Sequence, residues 1–265
     1  MAVIRKNDCF SVGEAKDGDI KLYYEDTGVG EPIVFLHGSL TRADFAFAAQ
    51  MPVFQQTHRA LYPDMRGHGR TVTVPYCWET PQLADDVMRL LDSLDIPKAN
   101  IVGHSMGGDV AMFCAVRHSS RVSKAISLCS TGVVNSEVKS YMRAYHPEAI
   151  DREKRGRFIK RLREDHIQAH GGDWETFLAE TVRNCERYPD FSIHDLRSIS
   201  MPFLLIYGEH DSLVKAEEVS GLQTNIPNFT AHVVKGAGHF PHMPGQQCAE
   251  VNRTILDFLA ARTTG

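Results

Sequence analysis

The chain has 265 residues, of which 43% are hydrophobic and 23% charged, and its formal net charge is −4 at pH 7. These proportions are typical of a globular domain with a large core, and the slightly acidic balance leaves no basic surface for nucleic acid or anionic membranes as partners. No apolar stretch is long enough to span a bilayer, and the first residues lack the apolar core of a signal peptide, so we expect a cytoplasmic protein. Nothing in the composition indicates an oligomeric state.

Strand-like and helix-like patterns alternate along most of the chain. Short β-branched runs indicate the strands, and apolar residues at helical spacing indicate the helices, as in the leucine-rich stretch 79–94. The alternation predicts an α/β fold with a mostly parallel sheet of eight strands and helices on both faces, opened by an antiparallel hairpin. The predicted strands are 9–13, 19–26, 32–36, 58–63, 99–102, 125–129, 202–207 and 229–234, and the predicted helices between them are 44–55, 79–94, 106–117, 215–224 and 245–261.

Residues 133–199 interrupt this alternation. They contain no strand-like run, and their pattern indicates several helices with breaks at positions such as Pro147. A segment of this length is too long to be a structureless loop in a compact domain. We therefore predict a core made of residues 1–132 and 200–265, with a helical cap at 133–199 inserted into it.

Residues 103–107 read Gly-His-Ser-Met-Gly, the pattern G-x-S-x-G. This pattern is typical of a sharp strand-to-helix turn that presents a nucleophilic serine above a parallel sheet. Any side chain at the two glycines would collide within such a turn. The β-branched run 99–102 predicts the buried strand before the turn, and 106–117 predicts the helix after it. Ser105 is therefore the candidate nucleophile.

An acid and a base follow this serine in a fixed order. Asp211 ends the strand-like run that starts at Pro202, and His239 ends the sequence Gly-Ala-Gly-His after a strand-like segment. The order Ser105, Asp211, His239 is the one that α/β-hydrolases use, whereas other serine hydrolase folds use different orders. The chain resembles the α/β-hydrolase superfamily on these grounds, over about residues 19–260.

Three further blocks are similar to motifs of this superfamily. Residues 33–38, Ile-Val-Phe-Leu-His-Gly, resemble its strand and His-Gly loop, and residues 63–69 resemble the D-x-R-G-x-G loop after its next strand. Residues 236–239 match the loop that presents the base. The insertion at 133–199 is similar to the helical lid of many members. The resemblance implies the fold of this superfamily.

The chain has 13 histidines, so the base has rivals. Only His239 ends a Gly-x-Gly-His loop after a strand-like run, and we predict it as the base for that reason. The nearby rivals are His37, His104 and His242.

The acid also has rivals. Asp109 lies in the turn after the nucleophile, where we expect it to cap the helix or to face solvent, and Glu209 lies close to Asp211. The strand before the cap ends in Ser130 and Thr131, so it supplies no carboxylate. These points favour Asp211.

The resemblance implies acyl-transfer chemistry. Ser105 would attack a carbonyl carbon, His239 would take its proton, and Asp211 would orient the imidazole. The backbone N–H groups of Ser39 and Met106 would form the oxyanion hole. Haloalkane dehalogenases and epoxide hydrolases of this superfamily have aspartate at the nucleophile position, so a serine there excludes their chemistry.

These features predict a cofactor-free serine hydrolase that cleaves a carboxylic ester or lactone of a small, largely apolar molecule. The run Ser-Met-Gly-Gly at 105–108 is similar to that of enol-lactonases and cofactor-free haloperoxidase-like esterases. The residues predicted to contact the substrate are His37, Phe45, Tyr141, Trp174 and Phe240.

Seven basic residues lie between Arg152 and Arg163. The simplest interpretation is a solvated helix face, with Phe158 among the residues that pack inward. A more specific hypothesis is that one of these arginines orients a substrate carboxylate at the mouth of the pocket, with Arg157 and Arg161 as the two positions that test it.

The cysteine and histidine spacings predict neither a disulfide nor a metal site. The six cysteines have no paired spacing, and Cys114 and Cys129 fall within apolar patterns that predict burial. His166 and His170 have the spacing His-x-x-x-His but no catalytic glutamate between them, so we interpret the pair as one face of a cap helix.

Three other functions stay open, because a fold does not determine an activity. The first is a C–C bond hydrolase acting on a β-diketone or vinylogous acid, although the loop His-Gly-Ser-Leu at 37–40 lacks the glycine-rich extension typical of ring-cleavage hydrolases. The second is a lyase or cyclase that forms no acyl-enzyme. The third is a small-molecule receptor.

Overall fold

A nine-stranded sheet runs through the computed structural model, which describes residues 6–11, 20–74 and 76–261. Part of the predicted first strand, 9–13, lies outside the described residues. The strands in chain order are β1 Lys6–Ser11, β2 Ile20–Thr27, β3 Glu31–Leu36, β4 His58–Pro63, β5 Val72–Thr73, β6 Ala99–His104, β7 Val122–Leu128, β8 Phe203–Gly208 and β9 Phe229–Val234.

Eight of these strands form one continuous path in the order β1-β2-β4-β3-β6-β7-β8-β9, and β5 pairs with β2 beside that path. Neighbours from β4 to β9 are parallel, whereas β2 runs antiparallel to β1, β4 and β5. The predicted α/β architecture, with its mostly parallel sheet, is confirmed. The two-residue β5 was not predicted, because so short a pairing leaves no periodic pattern in the sequence.

Eleven α-helices lie within the described residues. They are α1 Ala43–Ala46, α2 Met51–Phe54, α3 Thr80–Ser93, α4 Met106–Arg117, α5 Ser136–Arg143, α6 Gly156–Asp165, α7 Ile167–His170, α8 Trp174–Arg187, α9 Ile193–Ser198, α10 Ala216–Asn225 and α11 Cys248–Ala260.

Two cores cover the two faces of the sheet. Successive side chains of a strand point to opposite faces, so in β3 Val34 and Leu36 join one core while Ile33 and Phe35 join the other. The first core includes buried residues of α3, α4 and α10, and the second includes those of α1, α2 and α11. Because both faces are covered, the loops at the carboxyl edge of the parallel strands are the natural place for a site.

The single helix predicted over 44–55 is wrong. The structure has two short helices there, α1 and α2, with a turn from Phe47 to Gln50 between them. Pro52 lies in the first turn of α2, where its missing N–H costs nothing, whereas inside one long helix it would break the hydrogen-bond ladder. The apolar spacing of this stretch is continuous, and that continuity hid the break.

Residues 133–199, called the helical segment below, contain α5 to α9. Within the described chain no strand of the sheet falls in this segment, although Val133 and Asp190 form an isolated bridge near its two ends. Three of its helices begin at a side chain that accepts a hydrogen bond from a backbone N–H of the first turn. These capping residues are Asn135, Asp173 and Ser192.

A buried histidine joins the helical segment to the loop after β4. His166 accepts a hydrogen bond from the Gly69 N–H at Nδ1, over 2.7 Å, and its ring stacks on that of Phe177 with 4.4 Å between centroids. Burial lowers the pKa of His166 well below its usual value, and burial also lowers the pKa of His68, whose ring lies 5.8 Å away, to about 3. The ring of His170 lies 6.0 Å from that of Tyr76, so both histidines of the pair pack between the helical segment and the core.

No helix within 6–11, 20–74 and 76–261 is long and apolar enough to cross a membrane.

Candidate active site

The turn at Ser105 has the strained backbone that the sequence predicts. Ser105 has φ 52° and ψ −120°, a conformation that L-residues rarely adopt. A Cβ on Gly103 would lie 1.8 Å from the carbonyl oxygen of Gly107, and a Cβ on Gly107 would lie 2.0 Å from that of Leu36. Both positions therefore accept only glycine.

Three side chains from separate loops form a hydrogen-bonded chain. His239 Nε2 lies 3.1 Å from Ser105 Oγ, and His239 Nδ1 lies 2.8 Å from Asp211 Oδ2. Because a carboxylate accepts only, Nδ1 carries the proton, and Nε2 is left with a lone pair directed at the serine hydroxyl. Asp211 also accepts a hydrogen bond from the backbone N–H of Leu213 at 3.0 Å, which fixes the carboxylate plane.

Two backbone N–H groups border this serine. Met106 is the first residue of α4, and Ser39 follows the His-Gly loop after β3. In the described part of the chain, neither N–H donates a hydrogen bond to another residue. Both are available to an oxyanion, and the Met106 N–H lies at a helix N-terminus, which favours developing negative charge.

A buried histidine pair supports the loop that carries His239. His104 Nε2 donates a hydrogen bond to the carbonyl oxygen of His239 over 2.8 Å, and the ring of His242 lies 4.2 Å from that of His104. Burial lowers the pKa of both His104 and His242, so both are neutral at pH 7. These two rivals for the base thus pack behind His239, and His104 holds its backbone through a hydrogen bond, which the sequence did not indicate.

A cavity of about 420 Å³ opens beside the serine. The core supplies its floor through the loops after β3, β6, β7 and β9, and the helical segment supplies the opposite wall. Three of the five predicted substrate contacts, Phe45, Tyr141 and Phe240, line it. The helical segment adds Tyr145, Met142, Phe158, Arg161, Cys185 and Tyr188.

The structure does not bring His37 or Trp174 to the cavity. His37 is fully buried, where its Nδ1 donates to the Gly38 carbonyl at 2.7 Å and its Nε2 accepts from the Met65 N–H at 3.0 Å. Trp174 packs under the guanidinium of Arg152, with 5.2 Å to the ring centroid. The residue types of these two positions do not indicate which way the side chains point, and the prediction that they contact the substrate is wrong.

The prediction that Asp109 caps the helix or faces solvent is wrong. It lines the cavity, and its carboxylate accepts a short hydrogen bond from the hydroxyl of Ser130. Burial raises the pKa of Asp109 to about 7. The available sequence signal was its spacing: residues four apart share one helix face, and Asp109 is four residues after Ser105.

The basic run contributes one residue to the cavity. Arg161 lines it, with its guanidinium 5.0 Å from the ring centroid of Phe45 and 3.8 Å from the carboxylate of Asp165. Arg157 is exposed and lies outside the lining. Of the two arginines in the carboxylate hypothesis, only Arg161 has the required place.

One group of side chains in the described residues has metal-ligand spacing, formed by His104, Cys129 and His239. A metal there would have to displace the hydrogen bonds of both histidines. It would also need a thiolate, but burial raises the pKa of the Cys129 thiol well above its usual value. The donor set does not fit a resident metal ion.

Fold and site together define a hydrolase of the α/β type. Residues 33–254 match the family model described as the Alpha/beta hydrolase family, and the chain belongs to that family.

Several known proteins are similar to this chain over almost their whole length. Non-heme chloroperoxidase CPO-A1 of Kitasatospora aureofaciens is 27% identical, over 92% of this chain and 97% of its own. The 2-hydroxy-6-oxononadienedioate/2-hydroxy-6-oxononatrienedioate hydrolase 1 of Pseudomonas putida is 28% identical, over 98% of this chain and 99% of its own. The structure of a thermophilic esterase from Thermogutta terrifontis has a TM-score of 0.75 and 25% identity, covering 97% of this chain and 98% of that one.

Proposed function

We propose that the protein is a serine hydrolase that cleaves a carboxylic ester or lactone of a small, largely apolar molecule. The observation that carries the proposal is the chain of two hydrogen bonds from Ser105 through His239 to Asp211, which begins at a strained turn on the wall of a cavity. A serine hydroxyl is a weak nucleophile at neutral pH, and this arrangement supplies the base that it needs.

The positions of the atoms support an acylation step. His239 Nε2 takes the Ser105 proton as Oγ bonds to the carbonyl carbon, and the carbonyl electron pair moves to the oxygen. When the tetrahedral intermediate collapses, His239 returns the proton to the departing alcohol oxygen. Water then attacks the ester on Ser105 with the same base, and the acid product leaves with Oγ protonated again.

Asp211 and the two N–H groups stabilise the charges that appear on this path. The carboxylate of Asp211 lies 2.8 Å from Nδ1 and stabilises the imidazolium. The N–H groups of Met106 and Ser39 would bind the oxyanion, and each such donor is typically worth about 3 kcal/mol in the transition state. The mechanism uses no cofactor.

The cavity supports a small, apolar substrate. Its volume of about 420 Å³ suits a small molecule, and most of its lining is apolar or aromatic. We further propose that residues 133–199 act as a cap on a core of 1–132 and 200–265, because this segment supplies the wall that faces Ser105.

A turnover panel tests the proposal. Wild type and Ser105→Ala are compared on 4-nitrophenyl butyrate, a γ-lactone and a β-diketone, by release of alcohol or acid. We expect the wild type to hydrolyse the ester or the lactone and the variant to lose the activity. Retention of the activity by Ser105→Ala would overturn the acyl-enzyme mechanism.

A C–C bond hydrolase is the second candidate. It is favoured by the 28% identity to a hydrolase of 2-hydroxy-6-oxononadienedioate, a substrate with carboxylates, and by the place of Arg161 on the cavity wall. In that reaction His239 would protonate a carbanion before attack on the carbonyl. Turnover of the diketone with little turnover of the ester would support this candidate over the first.

A further inference from the structure

A carboxylic acid that the proposed mechanism does not use lies in the substrate cavity. Asp109 is four residues after Ser105 on α4, and its N–H donates to the Ser105 carbonyl at 3.1 Å. Ser105 and Asp109 both line the cavity, so Asp109 lies on the same side of α4 as the nucleophile. Among the described residues of the cavity wall, Asp109 is the only carboxylic acid.

The contacts of this carboxyl group leave one oxygen without a partner. Oδ1 accepts from the Ser130 hydroxyl, and that hydroxyl oxygen itself accepts from the Gly132 N–H at 3.2 Å, which fixes the direction of its proton. Oδ2 accepts no hydrogen bond from any residue within 20–74 and 76–261. Because Asp109 lines the cavity, this acceptor belongs to a residue of the cavity wall.

No cation balances this group. None of the lysine, arginine or histidine side chains in the described chain forms an ion pair with Asp109. The neighbouring group on α8 is the Cys185 thiol, whose pKa is raised by burial, and the neighbour after β7 is Ser130. Burial without a counter-ion raises the pKa of Asp109 to about 7.

We propose that Asp109 is a specificity-determining residue that accepts a hydrogen bond from a hydroxyl group of the substrate, carried a few bonds from the scissile carbonyl. The proposal rests on the hydrolase function above and narrows its substrate to a hydroxylated ester or lactone. At Asp109 itself a hydroxyl fits better than an anion, because a substrate carboxylate at this position would face the Asp109 carboxyl group, with which no cation of the described chain is paired. It also fits better than a cation, because a hydroxyl bonds to a carboxyl group in either protonation state, and an ammonium requires the ionised one.

The energy of this contact predicts a measurable selectivity. A polar group that the bound substrate covers and leaves unpaired costs about 1–3 kcal/mol, so a substrate without the hydroxyl loses roughly 5- to 150-fold in kcat/KM. A purely structural role for Asp109, as the acceptor that holds Ser130, would affect both kinds of substrate equally.

The test compares matched ester pairs with and without a hydroxyl. The acyl pair is 4-nitrophenyl 3-hydroxybutyrate and 4-nitrophenyl butyrate, and the alcohol pair is 3-hydroxybutyl butyrate and butyl butyrate. We expect wild type to prefer the hydroxylated member of at least one pair by about fivefold or more. Asp109→Leu should abolish this preference, whereas Asp109→Asn, whose amide oxygen still accepts, should keep most of it.

A control residue and a binding assay separate this proposal from the hydrolase function. Thr41 also lines the cavity with a hydroxyl, and Thr41→Val should leave the preference unchanged. Calorimetric binding of the same pairs to Ser105→Ala, with and without Asp109→Leu, tests the preference even if the wild type hydrolyses no ester. If the preference for the hydroxylated substrate is the same with and without Asp109→Leu in both assays, the proposal is overturned. An Asp109-dependent preference for 4-nitrophenyl 4-aminobutyrate over the hydroxy ester would overturn the choice of a hydroxyl.

Discussion

The two walls of the cavity are held by different kinds of contact. On the core side, Ser105, His239 and Asp211 are joined by hydrogen bonds of 2.8–3.1 Å, at a turn that admits only glycine two residues before and two residues after the serine. On the side of the helical segment, aromatic rings contact one another at tilted and edge-on angles. The ring centroid of Tyr145 lies 5.3 Å from that of Tyr141 and 5.4 Å from that of Phe158.

This difference indicates that the two walls have different roles. Directional hydrogen bonds and steric limits lose their effect with small displacements, so the core wall suits bond-breaking chemistry. Ring contacts and cation–π contacts, such as Arg155 over Tyr145 at 4.4 Å, tolerate substitution and rearrangement. The wall of the helical segment therefore suits the selection of substrates, which is consistent with relatives of different activities on one fold.

The largest effect is expected at the core wall. Asp211→Asn keeps the shape of the side chain but places an amide donor against Nδ1, which favours the wrong imidazole tautomer. We expect kcat to fall by roughly 10³–10⁴-fold with little change in KM, measured on whichever panel substrate turns over. A loss below about tenfold would mean that His239 does not depend on this carboxylate.

A pair of glycine substitutions compares the rigidity of the two walls. Gly107→Ala forces a Cβ to within 2.0 Å of a backbone oxygen, and we expect the free energy of unfolding to fall by about 3 kcal/mol or more. Gly156→Ala, in α6 of the helical segment, places a Cβ where nothing lies within 4 Å, and should change stability by less than about 1 kcal/mol. Urea unfolding of both variants measures the difference, and equal losses would refute the contrast.

The contact between the two regions should be sensitive to acid. The folded-state pKa of His68 is about 3 and that of His166 lies well below its usual value, so between about pH 6.5 and 3 the unfolded chain binds more protons than the native one. The stability that the two neutral histidines contribute is therefore fully present above about pH 6.5, and it is lost as the pH falls.

His166→Asn sharpens this prediction. Its amide oxygen can accept the Gly69 N–H without titrating, so between pH 7 and 5 we expect it to lose roughly 1–2 kcal/mol less stability than wild type does. Urea unfolding at the two pH values measures this. The same pH dependence in both proteins would show that His166 is not part of the acid response.

The smallest effect is expected at the rim of the helical segment. Arg161→Gln removes a charge from the cavity wall, and we expect KM for 4-nitrophenyl hemisuccinate to rise roughly 2- to 5-fold, because a half-exposed ion pair is weak. KM for neutral 4-nitrophenyl butyrate should not change. Arg157→Gln, at an exposed position outside the cavity, is the matched control, and an equal effect of both substitutions would refute the role of Arg161.

The sequence predicted the core wall better than the wall of the helical segment. The turn at Ser105 and the order of Asp211 and His239 depend on local patterns: a strand run, two glycines and a loop motif. The turn can be predicted from a short stretch of sequence because its steric limits act within five residues.

The remaining site residues depend on contacts between distant segments. Whether Trp174 faces the cavity or Arg152 is decided by how helices of the helical segment pack, and no periodic pattern encodes that packing. Asp109 was misassigned because its position in the first helical turn suggested a cap, whereas the neighbouring loop with Ser130 turns it into the cavity.

The proposed mechanism requires that Ser105 be an activated nucleophile. Intact-mass analysis after labelling with a small fluorophosphonate, with Ser105→Ala beside the wild type, measures this activation. We expect one adduct on the wild type, none on Ser105→Ala, and much slower labelling of Asp211→Asn. A folded wild type that takes no adduct, or a Ser105→Ala variant that takes one, would contradict it.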